Sequence, residues 1–418
     1  MKKEDIQLSV MPNGITVVTQ KRDTGKFVFQ LGVKCGSRNE PDGLVGLSHF
    51  YEHMVFQGTP TRTAFDIARE AEECGAETNA FTSYEETVFY VSGPKSKAEL
   101  FLDIYSDSLH NSVFAEEEFE KERKVILEEW RTRHEHNTRA VTNLLFETML
   151  GLQGSIIGDE ETVSRITPDN LRTLAYKYYK PANIVISMAG GISHSKAQRL
   201  AEKFFGNFHK AWSGKSELKG PSARGVADRY AERVREHITQ SAVAIGFWAP
   251  PITDDRSYAL DILMCILGCG SSSRLFQEVR DKRGLAYSIR AGYWGFSNAG
   301  ISSVVGYTSE PKEAHAVIMQ EIEKICSEYV SDAELEKAKT MNTADLETCE
   351  KTYSFGARNL NALMWHGRIV PIQEEIAQYR EVTKEAVRAA AEEVLRFDGM
   401  ITAVTAPRSM RGQLIQKQ

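Results

Sequence analysis

Residues 167–189 read TPDNLRTLAYKYYKPANIVISMA, and residues 383–405 read TKEAVRAAAEEVLRFDGMITAVT. Each opens on a threonine that starts a helix, makes a short turn, and ends in an apolar strand: Ile184–Ala189 in the first, Met400–Thr405 in the second. The two stretches lie 216 residues apart, and the same offset lays EEFEKERK at 117–124 on AELEKAKT at 333–340. One spacing kept by two distant stretches marks an internal duplication. Between the copies, SGKSELKGPSARG at 213–225 is rich in Gly, Ser and Lys and has no hydrophobic periodicity, so it reads as a linker. The expected organisation is a domain over 1–212, a linker over 213–226 and a homologous domain over 227–418.

Each half mixes strands with helices. Strands are expected at Ile15–Thr19, Phe27–Val33, Thr87–Val91, Ile184–Met188, Ala242–Trp248, Ile301–Tyr307 and Met400–Thr405. Helices are expected at Ala64–Cys74, Lys97–Asn111, Glu116–Arg133, Pro168–Tyr179, Ser257–Leu267, Lys312–Tyr329 and Asp332–Leu360. Strands grouped with runs of helices, rather than strict βαβ alternation, predict α+β halves. With 418 residues, of which 42% are hydrophobic and 26% charged, the chain is long enough for two cores and ordinary for a globular protein. A net charge of -6 with no Lys/Arg stripe argues against nucleic-acid binding. No apolar run reaches the roughly 18 residues of a membrane span, and the start, MKKEDIQLSV, lacks a signal-peptide core; a cytoplasmic location is expected. The six cysteines, widely scattered and without a CxxC, are expected to be reduced and mostly buried; Cys265 and Cys269 can share a helix face but lack a further ligand nearby.

The chemistry is concentrated at His49-Phe50-Tyr51-Glu52-His53. On a helix, positions four apart fall about 40° from one another, so His49 and His53 can converge on one point with Glu52 within an arc of about 100°. Catalytic zinc takes three protein ligands and keeps one position open, and a neighbouring carboxylate can act as general base. A third ligand must come from elsewhere. EKERKVILEEW at 120–130 reads as a helix with Val125, Ile126 and Leu127 turned inward. Its Glu122 and Glu129, seven apart, fall within about 20° of each other, so one can bind metal while the other orients a ligand histidine.

HFYEH followed by GTPTRT, then GAETNAFTSYEETVFYV, then ERKVILEEW, resembles the pitrilysin-like (M16) peptidases, inverzincins of the bacterial processing-peptidase-like kind. The resemblance covers essentially the whole chain. It implies two homologous halves of the M16/LuxS-like metallohydrolase fold, each an antiparallel-rich sheet with packed helices. It further implies one Zn2+ per chain on His49, His53 and Glu129, with Glu52 as base and Glu122 as support. Glu129 lies 76 residues beyond His53, as the family spacing requires; its neighbour Glu128 competes for the ligand role. The offset of 216 carries His49 to Cys265, Glu52 to Gly268, His53 to Cys269, Glu122 to Ala338 and Glu129 to Asp345, so the second half is expected to bind no zinc. Asn79 and Phe81 are implied to hold substrate ahead of the following strand rich in Thr, Val, Phe and Tyr, which the resemblance makes the edge strand that takes the peptide; Arg280 and Tyr287 are implied to contact it from the second half. The implied activity is endopeptidase cleavage of extended or unfolded peptides in a chamber formed by a homodimer, or by a heterodimer with a related inactive subunit. Scaffold members of the family lose the HxxEH set, which this chain keeps. The resemblance puts the acidic positions that bind a substrate arginine in the processing-peptidase branch on Arg139, which ends the basic run WRTRHEHNTR, and on Asn143 beyond it, so arginine-directed cleavage is not expected.

Overall fold

The computed structural model describes residues 5–135, 137–152, 154–208, 229–236, 238–349 and 351–410. The expected linker lies outside these residues. The chain divides into two compact units: Met1–Trp130, Gln153–Lys219 and Cys349–Val370 form the first, and Arg131–Leu152, Gly220–Thr348 and Pro371–Gln418 the second.

The first unit is built on six strands, β1 (Ile6–Val10), β2 (Thr16–Lys21), β3 (Lys26–Val33), β4 (Glu77–Thr82), β5 (Thr87–Pro94) and β6 (Ile184–Gly190), in the order β1-β2-β6-β3-β5-β4. Only β2 and β6 run parallel. The second unit has β7 (Tyr230–Arg235), β8 (Ser241–Ala249), β9 (Ala286–Gly295), β10 (Gly300–Thr308) and β11 (Ile401–Pro407), in the order β7-β11-β8-β10-β9, with only β7 and β11 parallel. Apart from β1 the two sheets match strand for strand, so the duplication seen in the sequence is a duplication of topology. The seven expected strands are all present. The four not expected are β1, β4, β7 and β9, each with one sheet neighbour; edge strands carry weaker apolar patterning.

In the first sheet, alternation sorts side chains between two faces. Val17, Phe29, Phe89 and Ile186 enter one core with Phe50, Tyr51 and Tyr105. Val18, Val88 and Val185 face the other way and bury against Leu360, Leu363 and Met364. That second face is covered by the helix Thr352–Asn361, which packs on β2, β3 and β6. The single helix expected over Asp332–Leu360 is therefore two helices, Asp332–Glu347 in the second unit and Thr352–Asn361 in the first. No proline marks the break; it falls where the chain passes from one core to the other.

The second sheet is covered in the same way by a helix from the other half of the sequence, Asn137–Leu150, which packs on β7, β8, β10 and β11. Gly32, opposite Val88 and Val185, and Gly246, opposite Ser303 and Ile401, hold the same place in the two sheets. A Cβ on Gly32 would meet Leu360 Cδ1 at 3.0 Å, and one on Gly246 would meet Met149 Sδ at 2.5 Å. Both positions need a hydrogen for the covering helix to close on the sheet. No helix of the described residues is long and apolar enough to cross a membrane.

Candidate metal centre

The HFYEH motif lies on a short helix, Leu47–Met54, in the first unit. Its start is held by Glu40, a fully buried side chain whose Oε2 accepts from the Gly46 backbone N–H at 2.9 Å and Oε1 from Ser48 at 2.7 Å. These donors have no partner within the helix, and the two carboxyl oxygens of Glu40 satisfy them. Burial pushes the Glu40 carboxyl up to about 8, even though the two N–H groups pull it down. The motif's apolar residues anchor the helix: Phe50 stacks on Phe119 of the long helix Glu116–Glu135 at 4.4 Å between ring centroids, and Tyr51 packs on Tyr179 at the same distance.

That stacking brings the two helices together so that His49 and His53 face Glu129. Each imidazole Nε2 lies 3.6 Å from Glu129 Oε2, and ligand atoms from the three side chains all fall within 4.8 Å of one another. A spacing of 3.6 Å is long for a hydrogen bond. It is close to the roughly 3.4 Å that separates two ligands each about 2.0–2.1 Å from a tetrahedral metal. The donor chemistry, two imidazoles and a carboxylate, fits zinc.

Around this set, His53 Nδ1 donates to Glu122 Oε2 at 2.9 Å, which leaves Nε2 as the donor atom toward a metal. Gln57 Nε2 donates to Glu122 Oε1 at 2.8 Å and fixes the carboxylate in turn. Burial pushes the His53 imidazole down, but the hydrogen bond to Glu122 and the nearby carboxylates of Glu129 and Glu52 outweigh it and hold the ring up at about 9. Three carboxylates about two histidines leave an excess of negative charge that a divalent cation would neutralise. Glu52, buried, accepts a 2.6 Å hydrogen bond from Thr82 Oγ1, the last residue of β4.

The expected edge strand, β5, is an inner strand paired with both β3 and β4; the outer strand is β4, with β5 its one neighbour. Asn79 and Phe81 lie on it, both exposed; Asn79 Oδ1 accepts from the Ala80 backbone N–H at 2.8 Å. Glu128 is exposed, so Glu129 is the member of the pair that joins the histidines. Val125, expected inward, is 50% exposed, while Ile126 is fully buried; three consecutive helical residues cannot share one face. Arg280 and Tyr287 belong to the second unit, where the Arg280 guanidinium lies 5.2 Å from the centre of the exposed Tyr287 ring. Arg139 and Asn143 also lie in the second unit, on the helix Asn137–Leu150; the expected basic residues His134 and His136 fall where no side chain is described.

Sequence reading did not identify Glu40, Gln57 or Thr82. Gln57 carried a usable signal, since it stands one turn beyond His53. Thr82 lay within a stretch already singled out, with nothing in its pattern to pair it with Glu52.

Comparison with known proteins agrees with this arrangement. Residues 16–159, which contain the entire cluster, match the family described as insulinase (peptidase family M16), and residues 165–342 match the peptidase M16 inactive domain. Uncharacterized zinc proteases of Streptomyces coelicolor, Rickettsia felis and Bacillus subtilis (YmxG) are each 30% identical to this chain, over 93%, 98% and 94% of it and 87%, 100% and 96% of their own lengths. The chain belongs to peptidase family M16. A protease from Helicobacter pylori has the same fold, with a TM-score of 0.90 at 21% identity over 97% of this chain and 100% of its own. So does a structure described as the peptidase M16 inactive domain from Pseudomonas fluorescens, with a TM-score of 0.86 at 18% identity, covering 96% and 98%.

Proposed function

We propose that this chain is a zinc-dependent endopeptidase that cleaves extended peptides, with His49, His53 and Glu129 holding one zinc ion and Glu52 serving as general base. The observation that carries the reading is the pair of 3.6 Å approaches from the two imidazoles to one oxygen of Glu129, with Glu52 beside them. Zinc bound there supplies Lewis-acid polarisation of a carbonyl and a water whose pKa falls to about 7. Glu52 takes the proton of the attacking water and passes it to the departing amine. The Thr82 hydroxyl holds the Glu52 carboxylate in place for both transfers. Glu122 fixes the His53 ring through Nδ1.

Substrate adds to the free side of β4 as a further antiparallel strand, a mode that draws affinity from backbone hydrogen bonds and makes little demand on sequence. Asn79 and Phe81 hold it there, and the Thr82–Glu52 hydrogen bond ties the end of that strand to the base. Arg280 and Tyr287 are further substrate-contact residues, serving the same or a partner chain; replacing them should lower turnover while zinc content stays normal. The assembly proposed with this reading is a homodimer, or a heterodimer with a related inactive subunit.

Metal analysis with digestion of a defined peptide mixture tests the reading. Wild type should carry one zinc per chain. Glu52→Gln should keep the metal and lose activity by about 10²-fold or more, the range of a lost general base, whereas His53→Ala should lose both. Hydrolysis by Glu52→Gln at the wild-type rate would refute the mechanism.

A further inference from the structure

The second unit carries a cluster of sulfur atoms. Cys265 and Cys269 stand one turn apart at the end of the helix Ser257–Gly268, at the positions that the internal repeat equates with His49 and His53. Two thiols alone make a poor site. The fold adds a third sulfur: the helix Asp332–Glu347 packs on Ser257–Gly268 and sets Met341 Sδ 3.9 Å from Cys265 Sγ. A Cβ on Gly270 would meet Met341 Cε at 3.6 Å, so the thioether reaches over the turn that bears Cys269. A Cβ on Gly268 would meet the Ala291 backbone nitrogen at 2.2 Å; β9 thus closes on the helix end, with Cys269 Sγ 3.8 Å from the Ala291 carbonyl oxygen. Cys265 is 3% exposed and Met341 44%, so the cluster has a wall in the core and an open side.

Lys337 and Arg290 lie close enough for their positive charges to act on Cys269. Two thiolates and a thioether are soft donors, and thioether sulfur favours a soft monovalent ion over zinc. Two sulfurs each about 2.3 Å from a three-coordinate metal stand about 4 Å apart, close to the 3.9 Å between Cys265 Sγ and Met341 Sδ. Lys337 and Arg290 supply the positive charge that two thiolates on a monovalent ion leave unbalanced. Among the described residues, His49, His53 and Glu129 form the one grouping of three His, Cys, Asp or Glu side chains suited to a metal, so this cluster offers zinc no full set.

We propose that Cys265, Cys269 and Met341 form a Cu(I) site in the second unit. The duplicated scaffold would then carry a different donor set at the place of the histidine pair, rather than none. The proposal is independent of the peptidase reading.

The test is anaerobic titration of the reduced, zinc-loaded full chain with Cu(I) against a competing chromogenic chelator, with zinc measured before and after. One tightly held equivalent of Cu(I) is expected, with sulfur-to-copper charge-transfer absorption in the near ultraviolet and no loss of zinc. Cys265→Ser/Cys269→Ser should lose that equivalent. Met341→Leu leaves both thiols in place, which thiol titration verifies, and should weaken binding about tenfold or more. Unchanged Cu(I) affinity in the double-serine chain, or in Met341→Leu, overturns the assignment, as does displacement of the bound copper by equimolar Zn2+.

Discussion

Glu40 shows how far a single residue can act from the chemistry it serves. It touches no ligand, yet it satisfies two backbone donors at the start of the helix that carries His49, Glu52 and His53. Glu40→Ala leaves both donors buried without an acceptor, and a loss of about 2–4 kcal/mol is expected in urea unfolding. Its titration gives a second readout. The folded chain holds the Glu40 proton up to about 8, against 4.5 for an ordinary glutamate. Between those values the folded state binds more protons than the unfolded one, so this group makes stability fall as pH rises through the window and level off above it. Glu40→Gln should flatten that decline between pH 5 and 8. Unfolding curves for the two proteins that stay parallel across this range would remove Glu40 as its source.

At the level of elements, the covering helices and the edge strand matter most. The helices Thr352–Asn361 and Asn137–Leu150 each cover a sheet whose strands all come from the other half of the chain, and each closes over a glycine. Gly32→Val should cost about 1–3 kcal/mol through overpacking against Leu360. Gly32→Val in a Leu360→Ala background should cost clearly less, giving a favourable coupling in the double-mutant cycle. Additive effects would mean that the glycine is not required for the helix to close. Strand β4 combines two features that a patterning argument treats as a weakness, an unpaired edge and exposed side chains. In the proposed function both become the means of taking up substrate.

For the whole molecule, the two units share a topology and differ in their donors: imidazole and carboxylate in one, thiol and thioether in the other. This difference is why one zinc per chain is expected from a duplicated fold. We expect no arginine-directed processing, because the resemblance puts Arg139 and Asn143 where that branch of the family has acidic residues, near Arg131 and Arg133. Like charges in a partly desolvated site repel by several kcal/mol. Cleavage-site profiling on a proteome-derived peptide library should therefore show no enrichment of arginine two residues before the cut; strong enrichment there would contradict it.

Several features were legible from the sequence because they are periodic and local. The spacing of His49 and His53, the seven-residue step from Glu122 to Glu129, the duplicated helix-turn-strand and the central strands all follow from how far one residue turns or rises from the next. Nothing local distinguishes Glu129 from Glu128 without the family spacing, or pairs Thr82 with Glu52, or brings Glu40 to the motif helix. Those pairings join residues far apart in sequence, and packing alone creates them. The same holds for the break between Glu347 and Thr352 and for Met341 beside Cys265. A helical pattern states which face is apolar but not which core will receive it. That choice belongs to the tertiary structure, where burial of one helix on a distant sheet outweighs continuity with the helix before it.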